Sequence, residues 1–392
     1  MTPDITTDLT PGSAAGRLDP PSAAGQFDPN EPVVVNLGPQ HPSTHGVFRL
    51  KATLDGERIL DVDMIIGYLH RSMEKLAEER TFTQNIPFTD RIDYLAAMSN
   101  NLAYCLAVEK LCGIEVPPRA QAIRILFAEL QRLASHAMAN GTFANDCGAW
   151  QTPLFHMFRE RERILDMFEM TCGARLTTNY MRIGGVAFDL PDELLPTLRT
   201  FLDDIPGKID EYRDLLLENE ILIARSRDIG KISAEAAINA SLVGPVLRGA
   251  GVPWDLRKAD PYCGYEKLDF DIPVGRNGDC FDRFLVRMEE VRQSVHILNQ
   301  LVDNIPDGAW LAELPLHIRP PVGEAYARVE SPRGELGFYI VSDGGPAPYR
   351  FHCRAPSLIN LTALREMTIG GTLADAIVTL GSIDIVVGEI DR

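Results

Sequence analysis

The stretch PRAQAIRILFAELQRLASHAM, residues 118–138, decides the fold class. Its apolar residues Ile123, Ile125, Leu126, Leu130 and Leu133 recur at helical spacing up to Met138. Pro117 and Pro118 open it, and proline suits a first helical turn because the N–H it lacks has no partner there. The spacing predicts one long helix. Working outward, the same period marks residues 90–112, through Ile92, Leu95, Leu102, Cys105 and Val108. It returns over 152–172, 194–219 and 284–302, and briefly over 72–82. Five long helices predict a bundle as the main core.

Both ends of the chain change character. Pro32 to Leu37, Phe48 to Leu54 and Ile59 to Ile66 read as three strands, the last two joined by a turn at Asp55-Gly56. Ala325 to Val329, Leu336 to Val341 and Tyr349 to Cys353 read as three more. Leu373 to Leu380 reads as a closing helix, followed by Gly381 to Arg392. The expected class is α+β: a central long-helix bundle with small β layers from the N-terminal and C-terminal regions. The expected divisions are a disordered tail over 1–31, a β region over 32–70, a helical core over 71–320 and a C-terminal β and helix region over 321–392.

The 392 residues carry 38 Lys plus Arg against 55 Asp plus Glu, a net charge of −17. Phosphate recognition needs a cationic surface, so nucleic acid and anionic lipid are poor partners. No run of 18 apolar residues occurs, and the N-terminus lacks the apolar core of a signal peptide. The seven cysteines are scattered without a C-x-x-C pair. That predicts free thiols, a reducing compartment, and no self-contained zinc or iron–sulfur site. No Gly-rich nucleotide loop is present, so the chain itself is expected to bind neither NADH nor ATP.

Chemistry concentrates in a few segments. Gly38 to Gly46 is a loop with two prolines and two imidazoles, His41 and His45. Proline and glycine argue against the helix that would let His41 and His45 share a metal. Two readings remain: histidines that cap nearby backbone, or a proton donor on a constrained loop. Asp90-Arg91-Ile92-Asp93-Tyr94 reads as a helix start whose carboxylates complement the dipole, with Tyr94 able to donate to a carbonyl oxygen. Gly67 to Lys75 reads as a strand end and a charged helix start, with His70 an unpromising ligand. Arg119, Arg124 and Arg132 read as solvated or ion-paired, and Asp146 as a loop carboxylate making a turn.

Taken in order, these segments resemble the D-type subunit family of bacterial NADH-quinone oxidoreductase, respiratory complex I, counterpart of the mitochondrial 49 kDa subunit. The matching runs are Asn36 to Gly46, Gly67 to Lys75, Asp90 to Tyr94, Pro118 to Gln121, Asp255 to Lys258, Gly278 to Cys280, Val341 to Gly344, and the Gly-Ser-Ile-Asp of 381–384. The similarity spans about residues 33–392. The family is related to the nickel–iron hydrogenase large subunit, which implies a fold of that type. Hydrogenases hold their metals with R-x-C-G-x-C and D-P-C-x-x-C segments. Here the four cysteine positions hold Asp93, Ala96, Val386 and Glu389. The resemblance therefore implies the cavity without its metal.

That cavity corresponds in the family to the quinone head-group site. The resemblance assigns His45 and Tyr94 as donors to the quinone carbonyls and Asp146 as the partner of His45. It assigns His41 a less defined role in the same loop. Arg71 matches a basic residue near a 4Fe-4S cluster that a neighbouring subunit holds. The implied partners are the B-type iron–sulfur subunit, the C-type and I-type subunits, and the H-type membrane subunit. The implied location is the cytoplasmic side of the inner membrane, in a peripheral position. Two departures stand out: Ser72 replaces the family's usual glycine, and Thr177 stands where many members have a histidine. Two other readings are a ferredoxin-linked photosynthetic counterpart and a non-catalytic assembly scaffold.

Overall fold

A computed structural model describes residues 31–149 and 152–392. The tail expected over 1–31 lies almost wholly outside the described residues. Five long helices stand among those described: α1 (Ala97–Cys112), α2 (Pro118–Asp146), α3 (Thr152–Cys172), α4 (Leu194–Leu217) and α5 (Cys280–Val302). Two shorter ones close the chain, α6 (Leu373–Ile383) and α7 (Val387–Asp391). The strands β1 (Val33–Leu37), β2 (Arg49–Asp55) and β3 (Arg58–Ile65) form an antiparallel meander. A second meander joins β4 (Gly323–Ser331), β5 (Gly334–Ser342) and β6 (Arg350–Arg354). The chain is α+β, as its periodicities imply.

α2 is the axis of the bundle, and it outruns its expected end at Met138. The added turns bring Gly141 against α3. A β-carbon there would stand 2.9 Å from Leu154 Cδ1 and 3.1 Å from Leu154 Cα, so only glycine lets α3 pack this closely. α2 is buried on nearly every side, including Arg124, Glu129, Arg132 and His136. Each of these polar side chains has a partner. Arg124 grips Glu109, Arg257 donates to Glu129 at 3.0 Å, and His136 lies 2.8 Å from Glu290. Arg132 donates to the backbone carbonyls of Glu330 and Ser331. Of the arginine series only Arg119, paired with Asp189, retains some exposure.

The two sheets belong to different cores. Tyr104 of α1 packs its ring 5.9 Å from Phe338 and 5.6 Å from Phe351, which ties β5 and β6 to the bundle. The first meander instead turns Leu50, Ala52 and Leu54 toward a separate cluster with Leu380, Ile383, Val387 and Ile390. The two chain ends therefore share a core, across the divisions expected from the sequence.

Several boundaries shift for local reasons. Residues 90–96 are turns, not helix, because Asp93 Oδ1 accepts the N–H groups of Leu95 at 3.0 Å and Ala96 at 3.2 Å. α5 begins at Cys280 rather than Phe284, capped by Asp279, which accepts the Asp282 N–H at 2.8 Å. The 72–82 helix shortens to Met73–Glu78, and the 194–219 helix ends at Leu217. The 38–46 loop contains one 3-10 turn, Pro42–Thr44. Asp146 is the last residue of α2, not a loop residue. All seven cysteines are free thiols. Among the described residues no helix is long and apolar enough to cross a membrane.

Candidate functional site

The histidine loop is built by its own side chains. The Thr44 hydroxyl lies 2.7 Å from the His41 carbonyl oxygen and 2.9 Å from that of Gly46. His41 Nδ1 accepts the Ser43 N–H at 3.2 Å, so His41 caps the short turn and stays exposed. His45 takes φ 54° and ψ 32°, a left-handed conformation that costs an ordinary residue about 1–2 kcal/mol. This turn aims the imidazole inward.

There it meets Asp146 at the end of α2. His45 Nε2 and Asp146 Oδ2 are 2.7 Å apart, with side chains only 20% and 11% exposed. Burial pushes the imidazolium down, but the hydrogen bond and charge of Asp146, with Asp384 behind, outweigh it. The pKa of His45 is held above its ordinary 6.5. Gly381 of α6 leaves room for the pair, since a β-carbon there would stand 2.5 Å from Asp146 Oδ2.

Tyr94 reaches the same region from the turn before α1. The link is α7. A β-carbon on Gly46 would meet Val387 Cγ2 at 2.9 Å, and one on Gly388 would meet Tyr94 Cε1 at 3.2 Å. Consecutive residues of α7 thus separate the histidine loop from Tyr94. Tyr94 remains 36% exposed, so the region is open on one side of this chain. Burial, then the charge of Asp93, hold its phenol above the ordinary value.

Arg71 stands beside Tyr94. Its Nη2 donates to the Arg91 carbonyl at 2.6 Å and lies 3.4 Å from the β-carbon position of Gly388. The segment carrying it is clamped by Asp391, whose carboxylate accepts the Gly67 N–H at 2.8 Å and the Leu69 N–H at 2.6 Å. His70 Nδ1 donates to the Asp391 carbonyl at 2.6 Å, which fixes its ring against the C-terminal helix. Asp90 is buried and pushed up to about 7 by burial, despite Arg91. It stands at the start of the turns, just after the short helix Ile86–Thr89, not at a helix N-terminus. Thr177 is half-buried.

His45 and Asp146 thus form one pair and Tyr94 and Arg71 another, on the two sides of α7, while His41 faces outward. Sequence reading gave no site role to Arg333, Asp384, Gly381, Gly388 or Asp391. Arg333 lies in Pro332-Arg333-Gly334, between two expected strands. Gly381 and Asp384 belong to a run that carries the resemblance, and Gly388 and Asp391 only to the stretch after the closing helix.

The donor set does not suit a nickel–iron centre. Ala96 and Val386 carry no ligand atom, and Asp93 is taken up by Arg333 at 2.8 Å. Among the described residues no group of three or more His, Cys, Asp or Glu could hold a metal ion.

Comparison with known proteins agrees with this architecture. The family profile described as respiratory-chain NADH dehydrogenase, 49 Kd subunit, matches residues 146–392. A D-type subunit of NADH-quinone oxidoreductase from Dehalococcoides mccartyi is 55% identical over 362 residues, 92% of this chain and 99% of that one. A counterpart from a Roseiflexus species is 54% identical, covering 91% of this chain and 98% of its own length. Another, from Solibacter usitatus, is 54% identical, covering 92% and 97%. With alignment this long and this similar, the chain belongs to the 49 kDa subunit family of respiratory-chain NADH dehydrogenase, as the D-type subunit of an NADH-quinone oxidoreductase.

Proposed function

We propose that His45, Asp146 and Tyr94 form the quinone head-group site of a proton-translocating NADH:quinone oxidoreductase. The chain serves in the peripheral arm, on the cytoplasmic side of the inner membrane. Its partners there are the B-type iron–sulfur subunit, the C-type and I-type subunits, and the H-type membrane subunit. The observation that carries the reading is the 2.7 Å His45–Asp146 pair, set across α7 from Tyr94.

The chemistry follows from charge. A quinone that has taken two electrons is a strong base and must take two protons. Asp146 and Asp384 favour the imidazolium form of His45, the form that can release a proton to one carbonyl oxygen. Tyr94, un-ionised at neutral pH, orients the other carbonyl by donating a hydrogen bond. The electrons come from an iron–sulfur cluster held by the neighbouring subunit, and the Arg71 cation beside Tyr94 favours its reduced form. The open side at Tyr94 is where a neighbouring subunit closes the site and excludes water.

The test uses membranes with the assembled complex and a short-chain quinone. His45→Ala is expected to lower NADH:quinone turnover by about 100-fold and Tyr94→Phe by about tenfold. NADH oxidation by a soluble artificial acceptor reports assembly and should persist. Normal quinone reduction in both variants would remove the assignment.

A further inference from the structure

Behind Tyr94 lies a second cluster of ionisable groups, of which the proposed site uses only Asp384. Asp93, Asp384 and Glu389 converge on Arg333, a fully buried guanidinium from the turn between β4 and β5. Arg333 Nη1 donates to Asp93 Oδ2 at 2.8 Å, Nη2 lies 3.3 Å from Asp384 Oδ1, and Nε donates to the Asp384 carbonyl at 2.9 Å. Glu389 Oε1 accepts the Ser357 N–H at 2.9 Å. Glu389 Oε2 and Asp384 Oδ2 are buried without a hydrogen-bond partner.

The charged groups do not balance. Asp93 and Arg333 face Glu389 electrostatically, and the Cys353 thiol of β6 lies within the same reach. Arg287 of α5 faces Asp384. Three carboxylates thus meet two guanidinium groups with little water to screen them. A buried carboxylate without its own cation keeps a proton. Glu389 is that group: burial first, then the charge of Asp93, push it up to about 8 against the pull of Arg333.

The cluster adjoins Tyr94 through its chain neighbours. Asp93 precedes it in the chain. Gly388, the neighbour of Glu389, packs against its ring, 3.2 Å from its β-carbon position to Tyr94 Cε1.

We propose that Asp93 and Glu389 hold one proton between them and return it to Tyr94 after the phenol has protonated the reduced quinone. This rests on the quinone-site reading above. The quinone takes two electrons, one at a time, from the iron–sulfur cluster of the neighbouring subunit. One oxygen takes the His45 imidazolium proton and the other takes the Tyr94 hydroxyl proton. Quinol leaves, the Tyr94 phenolate takes the Glu389 proton, and solvent protons restore both Glu389 and the His45 imidazolium. The return step runs downhill, because the Tyr94 phenol is held above its ordinary value of 10.0 and is the weaker acid.

The test is Glu389→Gln in membranes with the assembled complex. Glutamine keeps the acceptor for the Ser357 N–H but cannot release a proton. Turnover with a short-chain quinone is expected to fall about tenfold, and the alkaline limb expected of the wild type near pH 8 should be absent from the variant. Glu389→Asp should keep a limb at a displaced pH. Infrared difference spectra of the wild-type complex at neutral pH should show a protonated carboxylic acid that Glu389→Gln removes. Wild-type turnover with an unchanged pH profile in Glu389→Gln would overturn the proposal. So would a wild-type complex without the carboxylic acid signal, a measurement independent of any variant. If Tyr94→Phe reduces quinone normally, the quinone-site reading itself falls, whatever Glu389 does.

Discussion

Gly381 and Asp146 are in contact so close that no side chain could stand between them. A β-carbon on Gly381 would lie 2.5 Å from Asp146 Oδ2 and 3.4 Å from His45 Nε2. Alanine normally stabilises a helix interior by about 0.5–1 kcal/mol over glycine. Here the added methyl must displace the carboxylate that holds His45. Gly381→Ala is expected to leave α6 and complex assembly intact while lowering quinone turnover about tenfold or more. Parallel assays of quinone reduction and artificial-acceptor reduction separate the two effects.

Asp146→Asn tests the charge on the imidazole. Two opposed effects set the His45 pKa: burial, the larger single cause, lowers it, and Asp146 and Asp384 together raise it further. Removing the Asp146 charge leaves burial opposed mainly by Asp384, so the pKa falls. In the rate–pH profile the limb assigned to His45 should move to lower pH, leaving little activity at neutrality. The stability effect has a matching sign. A folded pKa raised above 6.5 contributes stability that is full below that value and is lost as pH rises through the folded pKa. The wild type should exceed the variant in denaturant resistance most at mildly acid pH, and the gap should close on the alkaline side.

The bundle was legible because a helical period survives in any sequence that buries one face over many turns, as at Ile123, Leu126, Leu130 and Leu133. The boundary at Ala97 was not. Residues 90–96 keep the apolar spacing of a helix, and only the Asp93 carboxylate, binding two backbone N–H groups, diverts the chain into turns. Asp146 was misplaced for a related reason. Asn-Asp-Cys-Gly has turn composition, while the helix runs on to Asp146 with Phe143 and Ala144 buried, a tertiary feature that local composition does not report. Residue types marked His45 and Tyr94 as chemically able, but nothing local joins positions 45, 94 and 146. Long-range packing against α6 and α7 does so, and single-chain periodicity holds no trace of it. Arg333 was hidden by the same logic, since a Pro-Arg-Gly turn ordinarily faces solvent.

Arg333→Met should show how much of the structure depends on that guanidinium. The substitution leaves Asp93 and Asp384 buried without their cation. Removing one partner of a buried pair costs about 3–5 kcal/mol, because the remaining charge is uncompensated. Thermal melting of the complex should drop by several degrees, or the chain should fail to assemble into it. Arg333→Met/Asp93→Asn removes charges of both signs and should recover part of the loss. No recovery would mean that the Asp384 contacts carry the stability.

Ser72→Gly offers a gain instead. Ser72 lies at φ 54° and ψ 36°, in the left-handed region where a β-carbon is penalised by about 1–2 kcal/mol and glycine is not. Its side chain makes no capping hydrogen bond to the helix that follows it. Nothing in the folded state therefore compensates for the strain, and the resemblance places a glycine at this position. Glycine gives back part of the gain through the greater freedom of its unfolded chain, about 0.4–1 kcal/mol. The net expectation is a stabilisation of about 0.5–1 kcal/mol, read as a small rise in melting temperature. Arg71 is the preceding residue, and its guanidinium is fixed by the Arg91 carbonyl rather than by Ser72. Quinone turnover should therefore stay at the wild-type level, whereas a fall in stability would show that the serine hydroxyl holds the turn through a contact with a neighbouring subunit.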